Sequence, residues 1–366
     1  MAKSSKGSRL KRHGKALAVG LASALGLLVV VGAGTYAAFR LSPWPSALLI
    51  RQAFDAGAVD VSDALESYVP RNVSSILDEN YTVGDGQRPA QEGHRNAYLD
   101  VYFPADLAEG EKLPTVVWSH GGAYISGDKE QIGNYARVLA DRGFTVVSVG
   151  YAIAPGAKFP TPIRQVNKAL GYLVEHSDRL HVDPNRLFLA GDSAGSHISA
   201  QLAVVITEPT YAQALGVTPT VNPEQIAGML LYCGPYNVRS INLSGPFGRF
   251  MTTVLWAYSG DPNFSENEYF ALANVTDYVT AAFPPSFISA GNSDPLLPHS
   301  VTLADRLEQL GVPTDTLFFP TDHKPGLGHE YQFVLDTEAG QLALERSVEF
   351  LEQAVGSANP PDASPQ

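Results

Sequence analysis

Between residues 96 and 355, short apolar runs rich in β-branched residues alternate with longer segments whose apolar positions recur at helical spacing. NAYLDVYF (96–103), TVVWSH (115–120), FTVVSVGY (144–151), RLFLAG (186–191), IAGMLLYCG (226–234), PPSFISAG (284–291) and TDTLFFP (314–320) read as strands. Helical patterns lie between them, over Glu130–Arg142, 161–179, from Ala194 onward, 299–310 and 337–355. In the second of these, Ile163, Val166, Ala169, Leu170 and Leu173 share one face. A strand that is apolar at nearly every position is covered on both sides, and a helix between two strands returns the chain to make them parallel. The pattern therefore specifies an α/β fold, a mostly parallel central sheet with helices on both faces. Residues 235–283 break the rhythm with glycines and with Phe247, Phe250, Trp256, Tyr258 and Tyr269, and read as a lid insertion over the sheet. No internal repeat is present. With 45% apolar and 17% charged residues the chain has the means to build a large core.

The N-terminal segment is of a different kind. Lys3, Lys6, Arg9, Lys11, Arg12 and Lys15 give residues 1–15 a charge of +6, so a net charge of −12 leaves −18 on the remainder. That balance argues against a nucleic-acid partner. Residues 16–39 contain no charge, and as a helix they would extend about 36 Å, enough to cross a hydrocarbon layer of about 30 Å. We read them as a transmembrane signal-anchor. The alternative is a cleaved signal peptide, with a small-residue site near Thr35-Tyr36-Ala37, although such peptides usually have a shorter apolar stretch. The basic flank keeps the N-terminus cytoplasmic in both readings, which sends residue 41 onward outside the membrane. Residues 40–95 form a membrane-proximal region with a helix-like stretch, RQAFDAGAVDVSDALESYV, followed by polar turns. Residues 356–366, rich in Pro and Ser, read as a disordered tail. Cys233 is the only cysteine, so no intrachain disulfide can form.

The most informative local stretch is LFLAGDSAGSHISAQL (187–202), which sets Ser193 between an apolar strand and a helix. Ligands collect at the carboxyl ends of strands in such sheets. A turn this tight would bring side chains two before and two after Ser193 into collision, and Gly191 and Gly195 remove them. The helix from Ala194 aims free N–H groups and its positive end at the place where negative charge would develop. A serine hydroxyl needs a base, and the base needs an orienting group. Asp294 follows one predicted strand and His329 the next, in the chain order Ser, Asp, His. Asp294 has the alternative role of capping the helix after Pro295, and His323, six residues before His329, is the rival base. His197 and His299 read as structural. After the strand TVVWSH, small residues let the main chain approach a tetrahedral intermediate, so Gly122 and Ala123, with Gly121 as a further candidate, supply N–H donors. Ala194 supplies the donor after the nucleophile.

With these parts in place, residues 96 to about 352 resemble the hormone-sensitive-lipase-like branch of the α/β-hydrolase carboxylesterases, close to bacterial members with a membrane-proximal N-terminus. The resemblance is carried by HGGAY (120–124), YAIAPGAKFP (151–160), GDSAG (191–195), DPL (294–296) and His329. It implies an α/β-hydrolase fold, a Ser193–Asp294–His329 triad and an oxyanion hole at the H-G-G motif, with Asp192 in the family's acidic place beside the serine. Four positions depart from the pattern: Ala123 for a third glycine, Gly156 for a glutamate, Pro298 for an acid, and Glu330 for a glycine.

The combined expectation is a membrane-tethered serine hydrolase acting on carboxylic esters with apolar acyl groups. No metal or organic cofactor is called for, since no His/Cys cluster has zinc-like spacing and the Gly-x-Gly strings lack a phosphate-loop setting. The alternatives are an amide-cleaving relative of peptidase or aryl-formamidase type, and a ligand-binding homologue without catalysis.

Overall fold

The computed structural model describes residues 31–82 and 97–357. The chain divides into two units, Met1–Ser46 and Ala47–Gln366. In the first, residues 31–41 are helical. Among the described residues no helix is long and apolar enough to cross a membrane; residues 16–30 of the expected anchor and most of the expected tail lie outside them.

The second unit is built on eight strands: β1 (Val73–Asn80), β2 (Tyr98–Pro104), β3 (Leu113–Ser119), β4 (Thr145–Val149), β5 (Val182–Asp192), β6 (Ile226–Tyr232), β7 (Ser286–Ala290) and β8 (Thr314–Phe318). Their spatial order is β1-β2-β4-β3-β5-β6-β7-β8. β1 and β2 run antiparallel to their neighbours, and all pairs from β4–β3 through β7–β8 are parallel. Seven of these strands were legible as apolar runs. β1 was not, and it extends the sheet upstream of residue 96. It is an edge strand with a register shift between Ile76 and Glu79 and a positive φ of 57° at Asp78, so its sequence, VSSILDEN, lacks a clean alternation.

The helices are α1 (Trp44–Glu66), α2 (Gly133–Ala140), α3 (Thr161–Glu175), α4 (Ser193–Thr207), α5 (Pro209–Leu215), α6 (Gly245–Ser259), α7 (Leu297–Gln309) and α8 (Glu338–Ser357). Strand side chains alternate between two cores, as the pleat requires. Val117, Leu187 and Leu189 pack with Ile163 and Leu170 of α3, Ile198 and Leu202 of α4 and Leu303 of α7. Val116, Trp118 and Phe188 face the other side, against Tyr135 and Leu139 of α2 and Ala343 and Leu351 of α8. α4 is buried from Ser193 through Ile206, which is why its sequence has no polar stripe. The central strands thus end at one sheet rim, with α4 springing from the middle of it.

Candidate active site

The strand β5 ends at Asp192 and α4 starts at Ser193 without an intervening loop. Ser193 takes a φ of 50°, a left-handed conformation that costs a residue with a Cβ on the order of 1–3 kcal/mol. Both flanking glycines are sterically required, for different reasons. A Cβ on Gly191 would lie 2.6 Å from the main chain of Gly195 and Ser196. A Cβ on Gly195 would lie 2.0 Å from the Ser119 carbonyl oxygen and 2.3 Å from that of His120, at the end of β3. The first glycine lets the turn close on itself; the second lets α4 touch the neighbouring strand.

Three distant segments meet at this turn. The His329 imidazole lies with Nε2 2.8 Å from Ser193 Oγ and Nδ1 2.8 Å from Asp294 Oδ2. The tautomer with a proton on Nδ1 donates to Asp294 and leaves Nε2 to accept from the serine hydroxyl. Asp294 also accepts from the Leu296 amide through its other oxygen, at 2.7 Å, a turn contact just before α7, whose first turn has no side-chain cap. Its carboxylate is fully buried, whereas the imidazole is about a third exposed at 34%. Burial opposes protonation of His329, but the adjoining Cys233 sulfur and the Asp294 hydrogen bond act the other way, and its pKa is raised well above the usual imidazole value. His323 stands apart, against the Phe319 ring. His197 is structural, its two ring nitrogens 2.6 Å from the Tyr124 hydroxyl and 2.7 Å from the Ala273 carbonyl, and His299 is buried in α7.

The candidate donors surround the serine. Gly121, Gly122, Ala123 and Ala194 line one cavity with Ser193 and His329. Among the described residues, no loop hydrogen bond uses the Gly122 or Ala123 N–H. Ala194 lies in the first turn of α4, whose N–H groups have no intrahelical partner. Asp192 does not cap that turn; it accepts instead from the Trp118 indole at 2.7 Å. Burial, with the nearby Glu330 carboxylate, pushes the Asp192 carboxyl well up. Glu330, which the sequence marked only as a departure, has a φ of 59° and places Oε1 3.7 Å from His329 Nε2. Cys233, Asp294 and His329 are the one group among the described residues with metal-ligand atoms within 4.8 Å of one another, and two of them are already engaged with each other.

The cavity measures about 590 Å³ and is mainly apolar. Phe247, Phe250, Met251 and Val254 of α6 form one wall, in the segment read as a lid. α1 also lines the cavity, through Ala53, Phe54, Gly57, Ala58, Val61 and Leu65. The two helices meet there, the Phe54 and Phe250 rings in contact with centroids 5.7 Å apart. The helical pattern in 51–69 was visible in the sequence, but its place beside Ser193 was not, because a helix-period pattern does not say which surface it covers.

The BD-FAE family model matches residues 99–307. An esterase of Fusarium pseudograminearum is 31% identical over 205 residues, covering 55% of this chain and 61% of that protein. The esterase LipQ of Mycobacterium tuberculosis is 25% identical over 226 residues, covering 61% of this chain and 52% of its own, so the chain spans about half the length of that relative. Among solved structures, esterase B from Lactobacillus rhamnosis, inhibited by a tributyrin phosphonate, superposes with a TM-score of 0.71 at 21% identity, covering 86% of this chain and 97% of that one. The shared fold is that of the α/β-hydrolases. The family match extends over more than half of the sequence, and the chain belongs to the BD-FAE family, among the α/β-hydrolase esterases.

Proposed function

We propose that this protein is a serine carboxylesterase that hydrolyses esters with apolar acyl groups through an acyl-enzyme. The observation that carries the reading is the relay Ser193–His329–Asp294, 2.8 Å at each step, opening onto an apolar cavity of about 590 Å³. Ser193 Oγ attacks the ester carbonyl carbon while its proton passes to His329 Nε2. The carbonyl π electrons move onto oxygen, where the Gly122, Ala123 and Ala194 N–H groups, with Gly121 beside them, stabilise the charge. The tetrahedral intermediate collapses, the C–O bond breaks, and His329 returns the proton to the leaving alcohol. Water then attacks the acyl-enzyme by the same route, releasing the acid and restoring the serine. Asp294 holds the imidazole tautomer and stabilises its cation throughout. This sequence of steps needs only the chain's own residues and water.

Ser193→Ala should lower kcat by more than about a thousand-fold on p-nitrophenyl butyrate, and abolish labelling by a fluorophosphonate probe. Full activity in that variant would overturn the assignment. Measured beside esters, a panel of peptides and aryl-formamides reads the bond preference; faster turnover of either would move the protein to the amide-cleaving class. We further propose that residues 16–39 tether the chain with its catalytic unit outside the cytoplasmic membrane, on the strength of their 24 uncharged residues behind a basic flank. Probe-labelled full-length protein in the membrane fraction, resistant to alkaline wash, is the expected result; labelling confined to the soluble fraction would reject the tether.

A further inference from the structure

The loop that carries the candidate oxyanion donors is held in an unfavourable conformation, and much of what holds it comes from α1. Gly122, Ala123 and Tyr124 have φ values of 105°, 52° and 61°. For Ala123 and Tyr124 this left-handed geometry is unfavourable, and it persists only where the surroundings over-determine it. Helices α4 and α6 supply part of this: the Tyr124 hydroxyl meets His197 Nδ1 at 2.6 Å, and its ring stacks on Tyr258 at 3.9 Å.

The loop is also gripped from α1 by two charged residues one helical turn apart. Arg51 donates from Nε to the Ile125 carbonyl at 2.6 Å and from Nη2 to the Ala154 carbonyl at 2.9 Å. The Ala154 amide in turn donates to the Tyr124 carbonyl at 2.7 Å. Asp55 accepts from Ser126 Oγ at 2.5 Å. The Ile125 and Ser126 amides both donate to the Gly122 carbonyl, so these side chains reach the donor loop through a single link. The planar guanidinium binds two carbonyls at fixed angles, which a flexible ammonium would do less well. Neither Arg51 nor Asp55 lines the cavity.

We propose that α1 is a working part of the active site, in which Arg51 and Asp55 are positioning residues that fix the Gly122 and Ala123 N–H groups against the developing oxyanion. The proposal rests on the oxyanion assignment above and extends it to a helix upstream of the family match. Because neither side chain meets substrate, their loss should lower kcat and leave KM for a short ester nearly unchanged. Loss of one oxyanion donor costs about 10²–10³ in kcat, and a loosened loop should cost part of that.

The test uses the full chain and p-nitrophenyl butyrate, with variants Arg51→Met, Arg51→Lys and Asp55→Ala. The expected kcat losses are about 10–100-fold for Arg51→Met, smaller for Arg51→Lys, which keeps one donor, and about 3–10-fold for Asp55→Ala, with KM within about threefold throughout. The fluorophosphonate inactivation rate should fall in parallel. Should Arg51→Met fail to fold, the other two variants decide. Unchanged kcat in all soluble variants, or a raised KM at constant kcat, would overturn the positioning role. In that event, probe labelling of the wild type that Ser193→Ala abolishes would show that the nucleophile assignment survives and only the clamp has failed.

Discussion

The elbow at 191–195 and the helix α1 face the same cavity, yet they are specified in opposite ways. The elbow is dictated by short-range sterics: a serine at positive φ, with a Cβ excluded on each side by backbone 2.0–2.6 Å away. Its sequence has almost no freedom, and so it can be read. α1 contributes a wall of Ala53, Phe54, Ala58 and Val61 that any sequence of suitable bulk could replace. Only its polar anchors, Arg51 and Asp55, make directed bonds to the loop 121–127. The element with the least sequence freedom holds the Ser193 hydroxyl, and the element with the most holds part of the apolar wall.

This contrast can be broken at points of decreasing severity. The largest effect is expected at the rim that completes the elbow: Asp294→Asn keeps the shape but favours the wrong imidazole tautomer, and kcat should fall about 10³–10⁴-fold. The same pair sets the acid limb of the pH profile. His329 must be neutral to accept the serine proton, and its pKa is raised, so activity is present at higher pH and lost as pH falls through a value above the ordinary imidazole range. A kcat/KM profile with its acid limb well below pH 6.5 would contradict this. Gly195→Ala comes next, since the new methyl has fixed main-chain atoms for neighbours; stability should drop by about 1–3 kcal/mol, read by chemical denaturation, with activity falling more than tenfold. An unperturbed variant would show that the elbow tolerates what its geometry forbids. The mildest effect belongs to the apolar wall. Phe250→Ala should leave kcat on acetyl esters near wild type while weakening kcat/KM on longer acyl esters by about 10-fold or more, the worth of a few apolar contacts. Equal losses on both substrates would mean that the wall also shapes the chemistry.

Legibility followed the same division. The central parallel strands were visible because their middle residues are buried on both faces and so are apolar, as in VVW at 116–118 and LFLA at 187–190. The edge strand β1 was missed because a strand with one neighbour and a bulge needs no regular pattern. Ser193, Asp294 and His329, which the structure brings into one hydrogen-bonded row, stood out in sequence through their loops at the rim; Glu330 and the Arg51–Asp55 pair did not, since nothing near them in sequence reveals their neighbours.

The sequence by itself determined the α/β alternation and the elbow, because backbone sterics and two-sided burial act within a few residues and leave a signature there. Only the tertiary structure decided that α1 walls the cavity, that Arg51 reaches the carbonyls of Ile125 and Ala154, and that Glu330 stands beside the imidazole. Those contacts join residues more than seventy positions apart or depend on how a side chain points, and many sequences can satisfy them equally well.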